Sequence, residues 1–313
     1  MAGDVRGPMQ IRHLRYFVTL ARLGHFRRAA ESCGVSQPTL SAGIASLETA
    51  LGVELVRRDR RYVGLTPEGE TALPWAQRML ADCDGLLRAA GQPGLGLTGR
   101  LRLGVIPAAM PAVGALAPVL ALDHPELQLV ILSMTSREIE RALHAHDIDG
   151  GVTYLESEPL TGVITWTFYE ERYRFATPSG GPFAGRASVS WAEAAAAPLC
   201  LLTRDMQNRR ILDAQMRRIG MEVQPRASAN SYTALLSMVR MGEMSSILPH
   251  THAATAERDP AILILPFDDP SPPQAVGLVV LDRHPMSAMT RAVLACARSA
   301  EFRRRVEPLR AEA

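Results

Sequence analysis

The chain has 313 residues, a formal net charge of +2 and hydrophobic residues at 47% of its positions. This length suits two or three domains, and this apolar fraction can fill ordinary cores, so global disorder is excluded. The chain contains no lysine. P-loop nucleotide binding and Schiff-base chemistry are therefore excluded, because both need a lysine amine.

The N-terminal segment and the spacing of the cysteines indicate the cellular compartment of the protein. Residues 1–8 are expected to be a disordered extension, with Met9 as an alternative start. No apolar core of a signal peptide is present, and no run reaches the ~20 apolar residues that span a bilayer. The four cysteines lie far apart without a C-x-x-C motif, at Cys33, Cys83, Cys200 and Cys296. This argues against a zinc site and a secreted disulfide framework, and we predict a cytoplasmic protein without membrane contact.

Three helices are predicted first, at Ile11–Leu23, His25–Cys33 and about Gln37–Leu51, with Ser36 as N-cap and Pro38 in the first turn of the third. The apolar stripe of the third helix has the 3.6-residue period and consists of Leu40, Ile44, Leu47 and Leu51. The opposite side carries small or amide-bearing groups that fit base edges in a major groove, namely Gln37, Ser41 and Ala45. This arrangement predicts a helix-turn-helix.

A two-stranded wing is predicted over Gly52–Thr66, with arginines placed to meet phosphates or a minor groove. They are Arg57, Arg58, Arg60 and Arg61. Residues 11–61 hold nine arginines against four acidic residues, a local charge of +5. Such a basic end on a nearly neutral chain fits a nucleic-acid contact made by one domain, although a solvated charged surface is the simpler alternative.

A long helix is predicted from Thr66 to about Ala90, with a kink at Pro74. Its apolar seam is expected to pair with a second copy of the chain, through Leu73, Met79, Leu80, Cys83 and Leu87. The glycine-rich segment that follows is predicted to be a hinge at 92–99.

From residue 100 onward, strand candidates alternate with helix candidates, which predicts an α/β fold with mainly parallel sheets. The predicted domains are therefore a winged helix-turn-helix at 9–66, a linker helix at 67–91 and an α/β domain at 100–313. The last is expected to consist of two subdomains with a cleft between them, one from 100–168 and 266–313 and the other from 169–265.

The layout and several motifs resemble those of the LysR-type transcriptional regulators. The motifs are Leu14-Arg15-Tyr16-Phe17, Phe26-Arg27-Arg28-Ala29-Ala30, Val35-Ser36-Gln37-Pro38-Thr39-Leu40-Ser41, Leu51-Gly52-Val53 and Leu65-Thr66-Pro67-Glu68-Gly69. The resemblance implies a winged helix-turn-helix, a dimerising linker helix and an effector domain like a periplasmic binding protein. It also implies that the protein binds double-stranded DNA as a homotetramer. The binding of a small molecule would then change the bending of that DNA or the contact of the protein with RNA polymerase.

Carried over by motif, the DNA-binding residues of the helix-turn-helix are Ser36, Gln37, Pro38, Thr39, Ser41 and Ala42. The chain departs from the family where Ala42-Gly43 replaces a long polar pair, and this predicts greater dependence on wing arginines and DNA shape. Gly43 is expected to cost about 0.5–1 kcal/mol of helix stability relative to alanine. Val56 replaces a common phenylalanine, which puts the packing of the wing in question.

The effector is expected to bind where strands end and helices begin. The candidates are Ala108, Ala109, Thr135, Ser136, Tyr154, Thr203, Asn208, Ser231 and His250. Because helix N-termini favour anions, an acidic metabolite is the expected effector, with helix capping as the simpler role for each hydroxyl. Ala108 and Ala109 stand where similar sites carry serine or threonine, which weakens a carboxylate site at that loop.

Three alternatives remain. A thiol-based redox sensor of the same class would use Cys200 and Cys296, although Cys200 sits in an apolar run and is expected to be buried. An enzyme is the second alternative, but the sequence contains no nucleophile elbow, zinc motif or dinucleotide fingerprint, and no cofactor is predicted. A solute-binding protein would leave the first ninety residues unexplained. RNA polymerase is a possible further partner.

Overall fold

Three helices, a two-stranded hairpin and a long helix form the first part of the chain in the computed structural model. The structure describes residues 9–58, 62–90, 97, 99–269 and 271–310. It divides into two compact units, Met1–Gly94 with His144–Asp147, and Leu95–Leu143 with Ile148–Ala313. The sequence predictions for residues 1–8, for Arg60 and Arg61, and for most of the hinge at 92–99 lie outside the described residues.

The elements of the first unit follow the predicted order. They are α1 (Ile11–Leu23), α2 (Phe26–Ser32), α3 (Gln37–Leu51), β1 (Val56–Arg58), β2 (Tyr62–Leu65) and α4 (Pro67–Ala90). Gly24 and Gly52 end α1 and α3 in the left-handed region, at φ 62° and 73°, where glycine carries no steric penalty. Residues of all three helices and of the wing, Val56 among them, form one buried core. The packing of Val56 is thereby accounted for.

Gly43 has a packing role that the sequence did not reveal. A Cβ atom there would lie 2.6 Å from Cδ2 of Tyr16 on α1. Glycine therefore allows α1 and α3 to approach, which offsets its low helix propensity. Gly69 is similar, since its Cβ would lie 2.0 Å from the carbonyl oxygen of Leu55.

The wing is joined to the helices by two side-chain caps. One carboxylate oxygen of Glu48 accepts hydrogen bonds from the backbone N–H groups of Leu55 and Val56, at 2.9 and 3.1 Å. The Thr66 hydroxyl donates to the Glu54 carbonyl at 2.6 Å and accepts from the N–H of Gly69 at 2.9 Å. The start of the wing and the start of α4 are thereby fixed together.

The second unit contains two lobes. Lobe A holds a five-stranded sheet in the order β4-β3-β5-β12-β6. Its elements are β3 (Gly99–Val105), α5 (Met110–Asp123), β4 (Leu127–Ser133), α6 (Ser136–His144), β5 (Gly150–Tyr154), β6 (Val163–Glu171), β12 (Gln274–Leu281), α11 (Ala288–Arg298) and α12 (Ala300–Arg310). A short 3₁₀ turn, Pro107–Ala109, separates β3 from α5.

Lobe B holds a three-stranded sheet in the order β10-β7-β11 and a two-stranded sheet, β8-β9. Its elements are β7 (Tyr173–Pro178), α7 (Trp191–Ala196), β8 (Cys200–Leu202), α8 (Gln207–Arg218), β9 (Ala227–Ala229), α9 (Tyr232–Arg240), β10 (Ser246–Pro249), α10 (His250–Ala256) and β11 (Ile262–Leu265). The predicted subdomain boundaries stay a proposal.

The sheets are mixed, so the prediction of mainly parallel sheets holds only in part. β3 is parallel to β4 and β5, and β8 is parallel to β9, but β12 is antiparallel to β5 and β6, and β7 is antiparallel to β10 and β11. The chain enters lobe B after β6 and re-enters the first sheet from lobe B as β12, and this return reverses the strand direction. Ser299 separates α11 from α12, and its hydroxyl accepts from the N–H of Phe302 at 3.1 Å.

Within the described part of the chain, no helix combines the length and the apolar character that crossing a bilayer requires. Likewise, no three His, Cys, Asp or Glu side chains of the described residues come together as a metal site would need.

Candidate functional site

The outer surface of α3 presents the residues predicted to read DNA. Gln37, Pro38 and Thr39 are exposed, as are Ala42 and Ala45, whereas Ser41 is half-buried. The opposite side is buried through Leu40, Ile44 and Leu47. Leu51, predicted to continue that apolar stripe, is 39% exposed, because the helix ends there.

Two of the predicted DNA-binding residues fix the start of α3. The Ser36 hydroxyl accepts from the N–H of Thr39 at 3.3 Å and lies 2.8 Å from the Thr39 hydroxyl. These contacts satisfy an orphan N–H group of the first turn. Gln37 and Ser41 have no such bond among the described residues, so their polar groups are available to base edges.

Two of the wing arginines lie on an antiparallel strand pair, with Arg57 opposite Gly64 and Arg58 opposite Tyr62. Arg57 is exposed. The side chain of Arg58, like Arg60 and Arg61, lies outside the described residues. Arg57 is therefore the wing arginine whose placement supports a phosphate contact.

The predicted dimerisation seam of α4 separates into two stripes. Leu73 and Leu80 are partly buried and pack against the core of the first unit. A second stripe is exposed, with Trp75 at 64% and Leu86 at 68%, and it includes Met79. Leu87 is exposed as well, and Cys83 is half-buried. The 3.6-residue period places positions 75, 79, 83 and 86 on one side of the helix.

In the second unit, one small cavity lies where strand ends meet helix starts. It is lined by the 3₁₀ turn after β3, the start of α6, the end of β5 and the start of α8. The lining residues are Ile106, Pro107, Ala108, Thr135, Ser136, Tyr154, Leu202, Met206, Gln207 and Asn208. We call this cavity the effector pocket. Its volume of about 10 Å³ is close to the space that one water molecule needs.

The structure brings five of the nine predicted effector residues to this pocket, namely Ala108, Thr135, Ser136, Tyr154 and Asn208. The other four line other parts of the fold. Ala109 is fully buried in the core, and the N–H of Thr203 bonds the Ala229 carbonyl at 3.0 Å. Ser231 is half-buried ahead of α9. His250 packs edge-on against Tyr169 and accepts from the N–H of Arg172 at 3.2 Å.

Thr135 has a capping role at the pocket. Its N–H and hydroxyl both donate to one carboxylate oxygen of Glu138, at 2.7 and 2.9 Å, and its hydroxyl accepts from the Glu138 N–H.

Two other polar groups at the pocket have no partner among the described residues, the Ser136 hydroxyl and Nε2 of Gln207. Both belong to the first residue of a helix, and a ligand in the pocket would satisfy them.

A fully buried carboxyl group lies behind the pocket, and the sequence analysis missed it. The Tyr154 hydroxyl donates to Oε1 of Glu171 at 2.5 Å, and Nδ2 of Asn208 donates to both, at 2.6 and 3.1 Å. Burial raises the pKa of Glu171 to about 8, although the bonds from Tyr154 and Asn208 oppose this. The carboxyl is therefore mainly protonated at pH 7. The alternation of Tyr169, Glu171 and Tyr173 along the chain was the available signal, since it places all three on one side of an extended segment.

The electrostatics of the pocket do not favour an anion. None of its described lining residues carries a positive charge, and the nearest buried acid is a protonated carboxyl group. The buried guanidinium of Arg209 is paired with Asp213, with Nε 2.7 Å from Oδ1, and donates to the Leu202 carbonyl. Only the helix N-termini of α6 and α8 supply partial positive charge. The predicted acidic metabolite therefore lacks a charged partner here.

The two cysteines of the second unit are buried in different elements. Cys200 on β8 is 0% exposed, and its Sγ–H donates to the Leu235 and Ser245 carbonyls at 3.6 and 3.5 Å. Cys296 on α11 donates to the Leu116 carbonyl at 3.9 Å. Burial raises the pKa of the Cys200 thiol to about 11 and that of Cys296 to about 12. The prediction that Cys200 is a buried strand residue is confirmed.

Two family descriptions match these two units. Residues 11–70 match the bacterial regulatory helix-turn-helix protein of the lysR family, and residues 95–301 match the LysR substrate binding domain. Together they cover most of the chain, so this protein belongs to the LysR family of transcription regulators and is not an enzyme. The predicted family and fold class are confirmed.

The chain is similar to individual members of that family. The chain is 30% identical over 284 residues to the DNA-binding transcriptional dual regulator OxyR of Escherichia coli K12, covering 89% of this chain and 91% of that protein. It resembles a full-length OxyR from Pseudomonas aeruginosa with a cysteine-to-aspartate substitution, at TM-score 0.75 and 28% identity over 95% and 98% of the two chains. An H2O2-bound cysteine-to-serine mutant of Corynebacterium glutamicum OxyR aligns at TM-score 0.58 and 28% identity, over 96% and 97%.

Proposed function

We propose that this regulator reads an operator through α3 and the wing, and that a compact, uncharged polar molecule in the effector pocket sets its activity. The observation that carries the proposal is the pair of buried groups without described partners, the Ser136 hydroxyl and Nε2 of Gln207. A ligand that bonds both would join lobe A to lobe B, because Ser136 begins α6 and Gln207 begins α8.

The size of the pocket narrows the choice of ligand. A volume of about 10 Å³ accepts a molecule about the size of one water. A larger metabolite would require the lobes to separate at the pocket. Binding would then select a more open arrangement, and this is how a ligand could change the rest of the protein.

An oxidant sensor is the second candidate, and the relatives support it better than they support an anionic metabolite. Several relatives are named as hydrogen peroxide-inducible genes activators, and one neighbour is named as H2O2-bound. In this chain, however, the thiols of Cys200 and Cys296 are buried with raised pKa values. Since the thiolate is the reactive form, neither thiol is prepared for attack on peroxide in this structure.

The experiment that separates the two candidates compares operator occupancy in cells. Chromatin immunoprecipitation of the wild-type chain across growth conditions, including hydrogen peroxide exposure, identifies the operators and the conditions that change their occupancy. We expect Gln207→Leu and Ser136→Ala to abolish that change. Cys200→Ser with Cys296→Ser should preserve it.

Thr203→Val is the matched control, because Thr203 also has a buried hydroxyl without a described partner but does not line the pocket. It should respond as the wild type does. Loss of the response in the cysteine double variant, with Gln207→Leu still responsive, would establish the oxidant sensor instead.

Regulators of this family bind DNA and form oligomers. We propose that the exposed stripe of α4, with Trp75 and Leu86, pairs with a second copy, since exposed apolar seams of long helices usually do so. Leu86→Arg should reduce the mass measured by light scattering, whereas Glu70→Arg on the same helix should not. An unchanged mass for Leu86→Arg would reject this pairing.

A further inference from the structure

A second, larger cavity of about 280 Å³ lies further along α8, towards its C-terminal end. Four segments form it. Ser157 and Glu158 follow β5, Tyr173 begins β7, one side of α8 contributes a row of side chains, and Ser271 and Gln274 belong to the segment that leads into β12. We call it the α8 cavity. It shares no lining residue with the effector pocket.

The helical period explains the row on α8. Arg210, Ala214 and Arg218 follow each other at intervals of four residues, so they lie above one another on one side of the helix. Ala214 leaves space between the two guanidinium groups. The neighbouring Arg217 does not line the cavity.

The charge of Arg210 is already neutralised. Its Nε and Nη2 each lie 2.6 Å from a different carboxylate oxygen of Glu158. Nη1 donates to the carbonyls of Asp205 and Arg204 at 2.6 and 3.3 Å. The hydrogen bond from Arg210 lowers the pKa of Glu158, so the carboxylate is ionised. This pair forms a wall of the cavity with no net charge.

Arg218 supplies the remaining charge. It is exposed and has no carboxylate partner among the described residues. The charged groups that line the cavity, Glu158, Arg210 and Arg218, therefore sum to +1. A dianion would meet one unpaired cation with Glu158 close by, whereas a monoanion matches this charge.

Uncharged donors complete the cavity. Ser271 is 6% exposed, and its hydroxyl has no partner among the described residues. The hydroxyl of Ser157 lies 2.6 Å from Oε1 of Gln274, whose Nε2 donates to the Pro273 carbonyl at 3.1 Å. A buried hydroxyl without a partner is costly unless a ligand or water satisfies it.

We propose that the α8 cavity binds a small monocarboxylic acid, with its carboxylate on Arg218 and its body between Glu158–Arg210 and Ser271. This site is independent of the effector pocket, and it provides the cation that the effector pocket lacks. The Tyr173 hydroxyl, which donates to the Asn208 carbonyl at 3.3 Å, stands between the two cavities. Tyr173 lines the α8 cavity and Asn208 lines the effector pocket.

The test is a titration of the full-length chain with butyrate and with butyramide, its uncharged analogue, followed by ligand-observed NMR. We expect saturable butyrate binding that is about tenfold tighter than butyramide binding, since a charge-assisted hydrogen bond is lost in the amide. Arg218→Gln should weaken butyrate binding by about tenfold, and Arg217→Gln, the matched control, by less than about twofold.

Absence of saturable butyrate binding would overturn the proposal, as would equal losses in the Arg218→Gln and Arg217→Gln variants. If Gln207→Leu abolished butyrate binding and Arg218→Gln left it unchanged, the acid would bind in the effector pocket. This result would also overturn the proposal. None of these outcomes depends on DNA binding, so they are separate from the test of the proposed function.

Discussion

The polar groups of the first unit's candidate site lie on its surface, whereas those of the second unit's candidate pocket are buried. Gln37 and Arg57 are exposed on a helix and a hairpin whose apolar sides are fully packed. Glu171, Tyr154 and Asn208 are buried together between strands and a helix of the second unit. A surface that meets a polyanion needs fixed charge, whereas a buried pocket keeps its charge low, because an unpaired buried ion is costly.

The largest expected effect is on the free energy of unfolding, and it tests whether the buried carboxyl group of Glu171 is uncharged. The folded-state pKa of Glu171 is raised to about 8, above its usual 4.5. Its stabilisation of the fold is therefore complete below pH 4.5 and is lost as the pH rises towards 8, at about 1.4 kcal/mol per unit. Glu171→Gln should make the chain about 5 kcal/mol more stable than wild type at pH 8.5 in urea unfolding, with little difference at pH 4.5.

Glu170→Gln is the control for this comparison, since Glu170 is the exposed neighbour on the same strand. Its stability should follow the wild type at both pH values. A Glu171→Gln variant that gained nothing at high pH would mean that the carboxyl is ionised in the folded protein.

The next effect tests the packing of the first unit. Gly43→Ala should destabilise it by about 1–2 kcal/mol, because the added Cβ would lie 2.6 Å from the Tyr16 ring and overpacking outweighs the gain in helix propensity. Gly114→Ala in α5 is the matched control, as its Cβ would meet nothing within 4 Å. It should be neutral or slightly stabilising in thermal unfolding. Equal effects of the two changes would remove the explanation given for Gly43.

The loss of a base contact from α3 should change the free energy of DNA binding by a similar amount, but only on the operator sequence. Gln37→Ala is expected to lower affinity for the operator by about 1–2 kcal/mol and to leave affinity for random duplex unchanged. Fluorescence anisotropy with both duplexes measures this difference. A parallel loss on both duplexes would assign Gln37 to backbone contacts.

The smallest effect concerns the wing. Arg57→Ala should weaken binding to every duplex by about 1 kcal/mol and reduce the slope of log affinity against log salt by about one. The same titrations at several salt concentrations provide the slope. A change in base preference without a change in slope would contradict the phosphate contact.

The sequence predicted the first unit well because its signals are local. The apolar period of α3, the glycines at 24 and 52 and the Ser36 cap each act within a few residues. Gly43 was misjudged because its reason lies on another helix, in the ring of Tyr16. The sequence predicted one apolar seam on α4 where the structure has two stripes. Only the packing of the helix shows that Leu80 is partly covered and that Leu86 is exposed.

The second unit was harder to predict because its site depends on contacts distant in sequence. Tyr154, Glu171 and Asn208 meet although they lie on two strands and a helix in different lobes. Polar residues at helix starts identified Ser136 and Asn208, whereas a similar position did not bring Thr203 or Ser231 into the pocket. The direction of β12 likewise depends on the chain returning from lobe B, which no local pattern encodes.

The most direct measurement is the affinity of the purified full-length chain for its own operator against random duplex of equal length and at equal salt. An α3 surface that reads bases predicts binding at least about a thousandfold tighter to the operator, and a marked loss of that ratio in Gln37→Ala. Equal affinity for the two duplexes would contradict the assignment of sequence recognition to this helix.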